Sequence, residues 1–296
     1  MTLTLDAPLV STQWLAEHSQ DTDIRILDCS LIMQPNDDGS YGFVSGIDVW
    51  KESHIPNSIY VDVGGELSDQ THEFTLMMPE PEDLVSTLKQ KGIGDNTAVI
   101  CYDRSNHAWA ARVWWMLRVC GFDNAAVLDG GWKKWLAESR EVSTELTSYP
   151  SATTFTLRHR PELMVSKEEV RAACDEQETL LLHSLPLPIF NGEVNPYKRP
   201  GRIPGSVNLY CESLLDPESN CYVAKEVLLK RFSPSRSLEQ KRVITYCGGG
   251  IAASANALAL TLAGQNNVAV YDGSLTEWSA DPEMPMETGE AGSNSI

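Results

Sequence analysis

The sequence predicts an α/β protein made of two copies of one unit, each a mostly parallel sheet flanked by helices. Three observations carry the prediction. Blocks recur in the same order in both halves: "VICYD" (99–103) matches "VITYC" (243–247), "AVLDGGWKKW" (126–135) matches "AVYDGSLTEW" (269–278), and "HIPNS" (54–58) corresponds to "RIPGS" (202–206). Ordered matches at nearly constant spacing signal a duplicated domain. The apolar runs are short and continuous, as in strands buried on both faces, and longer helical stretches separate them.

In the first half the strands fall at "IRILDC" (24–29), "SIYVDV" (58–63), "TAVICY" (97–102) and "AAVLD" (125–129). Helices fall near Glu82–Lys91 and over Ala108–Cys120, the latter stopped by Gly121. In the second half "TLLLHS" (179–184), "SVNLY" (206–210), "RVITY" (242–246) and "VAVYD" (268–272) are the strands, and the helix Ile251–Ala263 is stopped by Gly264. A polar stretch around Ser139–Pro161, with Pro150 inside it, divides the chain into a first domain at 1–140, a linker at 141–160 and a second domain at 161–296. The final "MPMETGEAGSNSI" (284–296) reads as a frayed tail.

Composition narrows the function. A chain of 296 residues suits two ordinary domains, and 42% hydrophobic with 22% charged residues marks a globular protein. No run approaches the roughly 20 apolar residues that span a bilayer. The N-terminus has no basic region leading into an apolar core, so a cytoplasmic protein is expected. Seven widely spaced cysteines without a C-x-x-C pair argue against a disulfide framework and a zinc site. A net charge of −18 disfavours nucleic acid as a partner and requires any anionic substrate to find a local positive pocket.

Cys247 is the candidate nucleophile. It stands where a strand ends and a glycine loop leads into a helix, "CGGGIAA". Orphan N–H groups and the helix dipole stabilise a thiolate there and bring a thiol pKa from about 8.5 into the range of roughly 3.5–7.5. Gly248, Gly249 and Gly250 let successive N–H groups of the loop point inward, and with Ile251 and Ala252 they form the expected cradle. The thiol is expected to be both activated and accessible. The matching first-half loop, "DRSNHAWAAR", has Asp103 at the cysteine position and no glycine.

The duplicated pattern, the H-I-P motif, "WAARVWWMLR" and "LDGGWKKWL" in the first half, and a cysteine loop only in the second resemble the tandem-domain rhodaneses, the thiosulfate and 3-mercaptopyruvate sulfurtransferases. The resemblance spans roughly residues 10 to 288. It implies two tandem rhodanese-like domains, with Cys247 taking a sulfane sulfur from a small anionic donor, holding it as a persulfide and passing it to a thiophilic acceptor such as cyanide or a thiol, without metal or organic cofactor. Thiosulfate-preferring loops of that family carry a cation, so the neutral loop here leans towards 3-mercaptopyruvate, although Ala252 stands where a hydroxyl residue is usual. The family's Asp-Ala-Arg triplet and a further arginine are replaced by His183-Ser184-Leu185 and by Ile189. Lys198, Arg199 and Arg202 supply cations nearby, and Arg199 or Arg202 is expected to meet the donor's carboxylate or sulfonate. His54, in the first-half H-I-P motif, is a further candidate, while His183 is expected to satisfy a local hydrogen bond.

Other chemistries fit less well. Gly248, Gly250 and Ala253 match G-x-G-x-x-A, and Asp272 falls 24 residues after Gly248, but Asp129 ends the matching first-half strand with no glycine loop before it. A cysteine phosphatase needs arginine at 253, where alanine stands, and no H-E-x-x-H occurs. A non-catalytic rhodanese-like binding module, or a persulfide relay to a protein partner, is the remaining alternative.

Overall fold

The computed structural model describes residues 3–35 and 41–290. They divide into two compact units, Met1–Arg160 with Pro217–Cys221, and Pro161–Asp216 with Tyr222–Ile296.

The first unit runs β1 (Leu9–Val10), α1 (Thr12–His18), β2 (Ile24–Asp28), β3 (Leu31–Pro35), β4 (Tyr41–Ser45), α2 (Ile47–Glu52), β5 (Ser58–Tyr60), α3 (Pro81–Gln90), β6 (Ala98–Tyr102), α4 (Ala108–Val119), β7 (Ala125–Leu128) and α5 (Gly131–Ala137). Its main sheet has the order β1-β7-β6-β2-β5, and every pair is parallel. Strands β3 and β4 form a separate antiparallel hairpin that the sequence reading did not foresee. Its Met33 and Phe43 face solvent, so the alternation that betrays a half-buried strand is lost.

The second unit runs β8 (Met164–Val165), α6 (Lys167–Ala173), β9 (Thr179–His183), α7 (Leu187–Phe190), β10 (Val207–Asn208), α8 (Lys225–Phe232), β11 (Arg242–Tyr246), α9 (Ile251–Ala263), β12 (Val268–Tyr271) and α10 (Ser274–Ala280). Its sheet, β8-β12-β11-β9-β10, is again wholly parallel and repeats the first order strand for strand. Among the described residues no helix is long and apolar enough to cross a membrane.

The repeated blocks have a packing reason. Tyr102 and Tyr246 end the central strands and are fully buried, so each hydroxyl needs partners. Tyr246 Oη accepts from Ile203 N at 3.2 Å and lies 2.6 Å from Ser206 Oγ; Tyr102 Oη accepts from Ile55 N at 3.4 Å and lies 3.2 Å from Ser58 Oγ. The I-P-x-S block therefore latches a loop onto the sheet. The repeated tryptophans, Trp135 and Trp278, sit in the two cores and donate to Glu141 O at 2.7 Å and Pro285 O at 2.8 Å, turning the chain after each unit's last helix.

Two polar stretches are more ordered than their composition suggests. Within 141–160, Ser143 pairs with His54, Ala152 N donates to Lys89 O and Arg158 N to Cys120 O, so this stretch lies along the first unit. The expectation of a frayed tail is corrected for residues 284–290. Arg202 and Glu287 exchange two backbone hydrogen bonds of 2.9 Å, and Gly289 N donates to Asn191 O at 2.8 Å. Residues 291–296 lie outside the described residues.

Candidate active site

Cys247 follows the last residue of β11, and Gly250, at φ +77°, is the N-cap of α9. That left-handed backbone is the position where a glycine costs least. The loop is fastened from behind by Ser274, whose Oγ accepts from Cys247 N at 3.0 Å and Gly250 N at 3.2 Å and donates to Tyr271 O at 2.7 Å. Two further bonds of 3.0 Å, from Leu275 N to Cys247 O and from Thr276 N to Gly248 O, complete the fastening. Ser274 is fully buried at φ +47°, and Gly131 occupies the equivalent place in the first unit at φ +54°. Sequence reasoning missed Ser274. The available signal was the repeated D-G-S/D-G-G turn, in which a serine replaces a glycine at a left-handed position.

With Cys247 N and Gly250 N committed to Ser274, the N–H groups of Gly248, Gly249, Ile251, Ala252 and Ala253 have no protein acceptor among the described residues. The last three are the first residues of α9, which a helix cannot satisfy internally. The thiol is less accessible than expected, since Cys247 is only 2% exposed.

The first unit shows what such a loop holds. Its counterpart, Arg104 to His107, is one residue longer and enters α4 through His107 at φ +67°. Asp103, buried at the cysteine position, accepts from Ser105 N at 2.8 Å, His107 N at 3.2 Å, Ala110 N at 3.0 Å and Ser105 Oγ at 3.1 Å. Converging N–H groups are filled there by the chain's own carboxylate.

The cations expected to bind a donor are placed otherwise. Arg199 gives Nε to Ser279 O at 2.9 Å, Nη1 to Met284 O at 2.7 Å and Nη2 to Trp278 O at 3.0 Å. Arg202 is buried, stacks over Phe190 at 4.4 Å, pairs with Glu287 at 3.3 Å and donates to Gly289 O at 2.8 Å. His54 is equally buried, stacks on Trp50 at 4.4 Å, and sets its ring nitrogens 2.6 Å from Trp50 O and 3.0 Å from Glu145 O. Arg202 and His54 hold equivalent positions before the I-P motif, and each clamps the segment that follows its unit's last helix. The expectation that Arg199, Arg202 or His54 faces a donor is therefore corrected, because their polar atoms are spent on backbone carbonyls and a tail carboxylate. Lys198 is exposed, and its ammonium makes no hydrogen bond or ion pair among the described residues.

His183 is fully buried between Phe190 and Tyr246. Its Nδ1 lies 3.0 Å from Asn208 Nδ2 and 3.4 Å from Leu185 N, both donors, so that nitrogen is the acceptor. Burial pushes its pKa down to about 3. Among the described residues no group of three or more His, Cys, Asp or Glu side chains could hold a metal ion.

The family model for the rhodanese-like domain matches residues 11–138 and 188–281. The chain is 30% identical over 281 residues to the 3-mercaptopyruvate sulfurtransferase of Escherichia coli (strain K12), covering 94% of this chain and 97% of that protein. It is 31% identical over 296 residues to the thiosulfate sulfurtransferase of Cricetulus griseus, covering 96% of each. The crystal structure of SseA from Escherichia coli, described as a 3-mercaptopyruvate sulfotransferase, superposes with a TM-score of 0.80 at 28% identity, over 90% of this chain and 98% of that one. Two family segments in one chain, full-length relatives and a shared fold agree with the duplicated sheets, and the chain belongs to the rhodanese-like domain family.

Proposed function

We infer that Cys247 is the sulfur carrier of a two-domain sulfurtransferase, with the second domain catalytic and the first lacking the nucleophile. Asp103 carries the reading. A carboxylate oxygen of Asp103 is three bonds from its Cα, and so is the outer sulfur of a persulfide on Cys247. An anion at the same reach therefore meets the N–H groups of Gly248, Gly249, Ile251, Ala252 and Ala253 as Asp103 meets those of its own loop. Preorganised N–H groups stabilise that anion without a titrating side chain or a metal.

The thiolate of Cys247 attacks the transferable sulfur of the donor, the outer sulfur of thiosulfate or the thiol sulfur of 3-mercaptopyruvate, and forms an S–S bond. The donor's own bond to that sulfur breaks, and the bonding pair leaves with sulfite from thiosulfate or with the enolate of pyruvate from 3-mercaptopyruvate, which then takes a proton. The acceptor, cyanide or a thiol, attacks the outer sulfur and returns Cys247 as the thiolate. These two donors are the ones for which the relatives are named, and the neutral loop favours 3-mercaptopyruvate. With Arg199 and Arg202 committed to backbone, the small anionic donor is met by loop N–H groups, with Lys198 the remaining cation.

The test is turnover with cyanide as acceptor, for the wild type and Cys247→Ser, with each donor in turn. At least one donor turns over in the wild type, the protein gains the mass of one sulfur atom, and the serine variant falls to background. Absence of turnover with both donors, or an undiminished serine variant, overturns the reading.

A further inference from the structure

We propose that the Tyr197 hydroxyl is the hydrogen-bond donor to the transferred sulfur, poised over the cysteine loop on a strap that Arg199 fixes. The assignment rests on the sulfur-carrier reading of Cys247. A Cβ built at Gly248 would come 2.3 Å from the Tyr197 hydroxyl oxygen and 3.1 Å from its Cζ, and no other atom is as near. Gly248 is not at positive φ, so the backbone does not demand glycine there; the phenol does.

The ring is half-buried, and its hydroxyl makes no hydrogen bond among the described residues. Burial, and after it the nearby Cys247 sulfur, pushes the phenol's pKa up, so the group keeps its proton at neutral pH. It donates a hydrogen bond and transfers no proton. The ring's place is fixed on both sides. It packs against the second unit's core. Immediately after it, Lys198 N donates to Ser279 Oγ at 3.2 Å and the Arg199 guanidinium grips the carbonyls at the end of α10. Arg199 is thus a positioning residue, which gives its commitment to backbone a purpose.

During transfer the leaving group departs with the bonding pair, and the sulfur it leaves behind, now bonded to Cys247, is the outer atom of a persulfide anion whose charge is no longer shared with the donor. An O–H aimed at that sulfur is worth more in the transition state than in the ground state. Removing one hydrogen bond to a charged group costs about 10- to 100-fold.

Steady-state kinetics of Tyr197→Phe test this with the donor that the wild type turns over. We expect kcat to fall about 10- to 100-fold with little change in KM, and thermal unfolding to match the wild type. Gly248→Ala, which displaces the hydroxyl without removing it, should show a comparable loss, and Tyr197→Phe/Gly248→Ala should be no worse than the poorer single variant. A wild-type rate in Tyr197→Phe, a loss confined to KM, or a double variant that multiplies the two single losses overturns the proposal. Failure of the wild type to load sulfur would instead sink the sulfur-carrier reading itself.

Discussion

If the two loops are the same anion cradle, removing the carboxylate from the first should be costly and a free carboxylate should repair it. In Asp103→Ala, the N–H groups of Ser105, His107 and Ala110 lose their acceptor in a buried place, and the Ser105 hydroxyl loses its partner. Each bond to a charged acceptor contributes about 1.5–3 kcal/mol, the terms are not additive, and alanine recovers the cost of burying a carboxylate; a net loss of about 3–5 kcal/mol follows. Urea unfolding followed by tryptophan fluorescence reports chiefly on the first unit, since Trp278 is the second unit's sole tryptophan. Formate should then stabilise the variant more than the wild type. At a formate concentration about tenfold above its dissociation constant, the gain is about 1.4 kcal/mol. A loss below about 1 kcal/mol, or equal stabilisation of both proteins by formate, would refute the cradle argument.

The other predictions concern the second unit. His183 has a folded pKa of about 3, below the ordinary value of about 6.5, so between those values the unfolded chain holds a proton that the native one does not. Stability is therefore full above about pH 6.5 and falls as the pH drops towards 3, by about 2 kcal/mol at pH 5 from this group alone. Hydrogen exchange in β9 and β11 at pH 7 and pH 5 should show that fall in the wild type and a smaller one in His183→Gln; equal falls would show that another group titrates. In Ser274→Ala, Cys247 N and Gly250 N lose their shared acceptor, and we expect kcat to drop by about 10-fold or more. Ser274→Gly relieves the positive φ but not the lost acceptor, so it should be as slow, and recovery of activity there would point to strain instead.

The fold was legible because its signals are local and doubled. Short apolar strands, the glycines ending the helices and ordered repeat blocks all sit in contiguous sequence, and the two sheets repeat one strand order. Cys247 and its glycines were legible for the same reason. The cations were misread because a sequence gives charge without direction: Arg199 and Arg202 carry the guanidinium forks that suit an oxyanion, and both are turned onto backbone carbonyls 79 or more residues away in sequence, Phe190 O excepted. Ser274 was hidden by the same distance, since it acts on residues 27 and 24 positions before it. The hairpin β3–β4 was missed because its outward side chains are apolar, which removes the two-residue alternation.

The three glycines after Cys247 answer to three different constraints, and only one is conformational. Gly250 sits at φ +77° and caps α9, a place that His107 fills in the first unit with its own N–H tied to Asp103. Gly248 is required by the ring above it, because a methyl there would meet the Tyr197 hydroxyl. At Gly249 a Cβ would meet nothing within 4 Å and the backbone is not left-handed, so neither packing nor strain asks for glycine. What remains at 249 is the approach to the sulfur itself: a side chain there would stand beside the N–H groups that a persulfide needs. Gly249→Ala should therefore leave stability nearly unchanged, and any effect should fall on donor turnover. That separation distinguishes a glycine kept for chemistry from the two kept for the backbone and for the phenol.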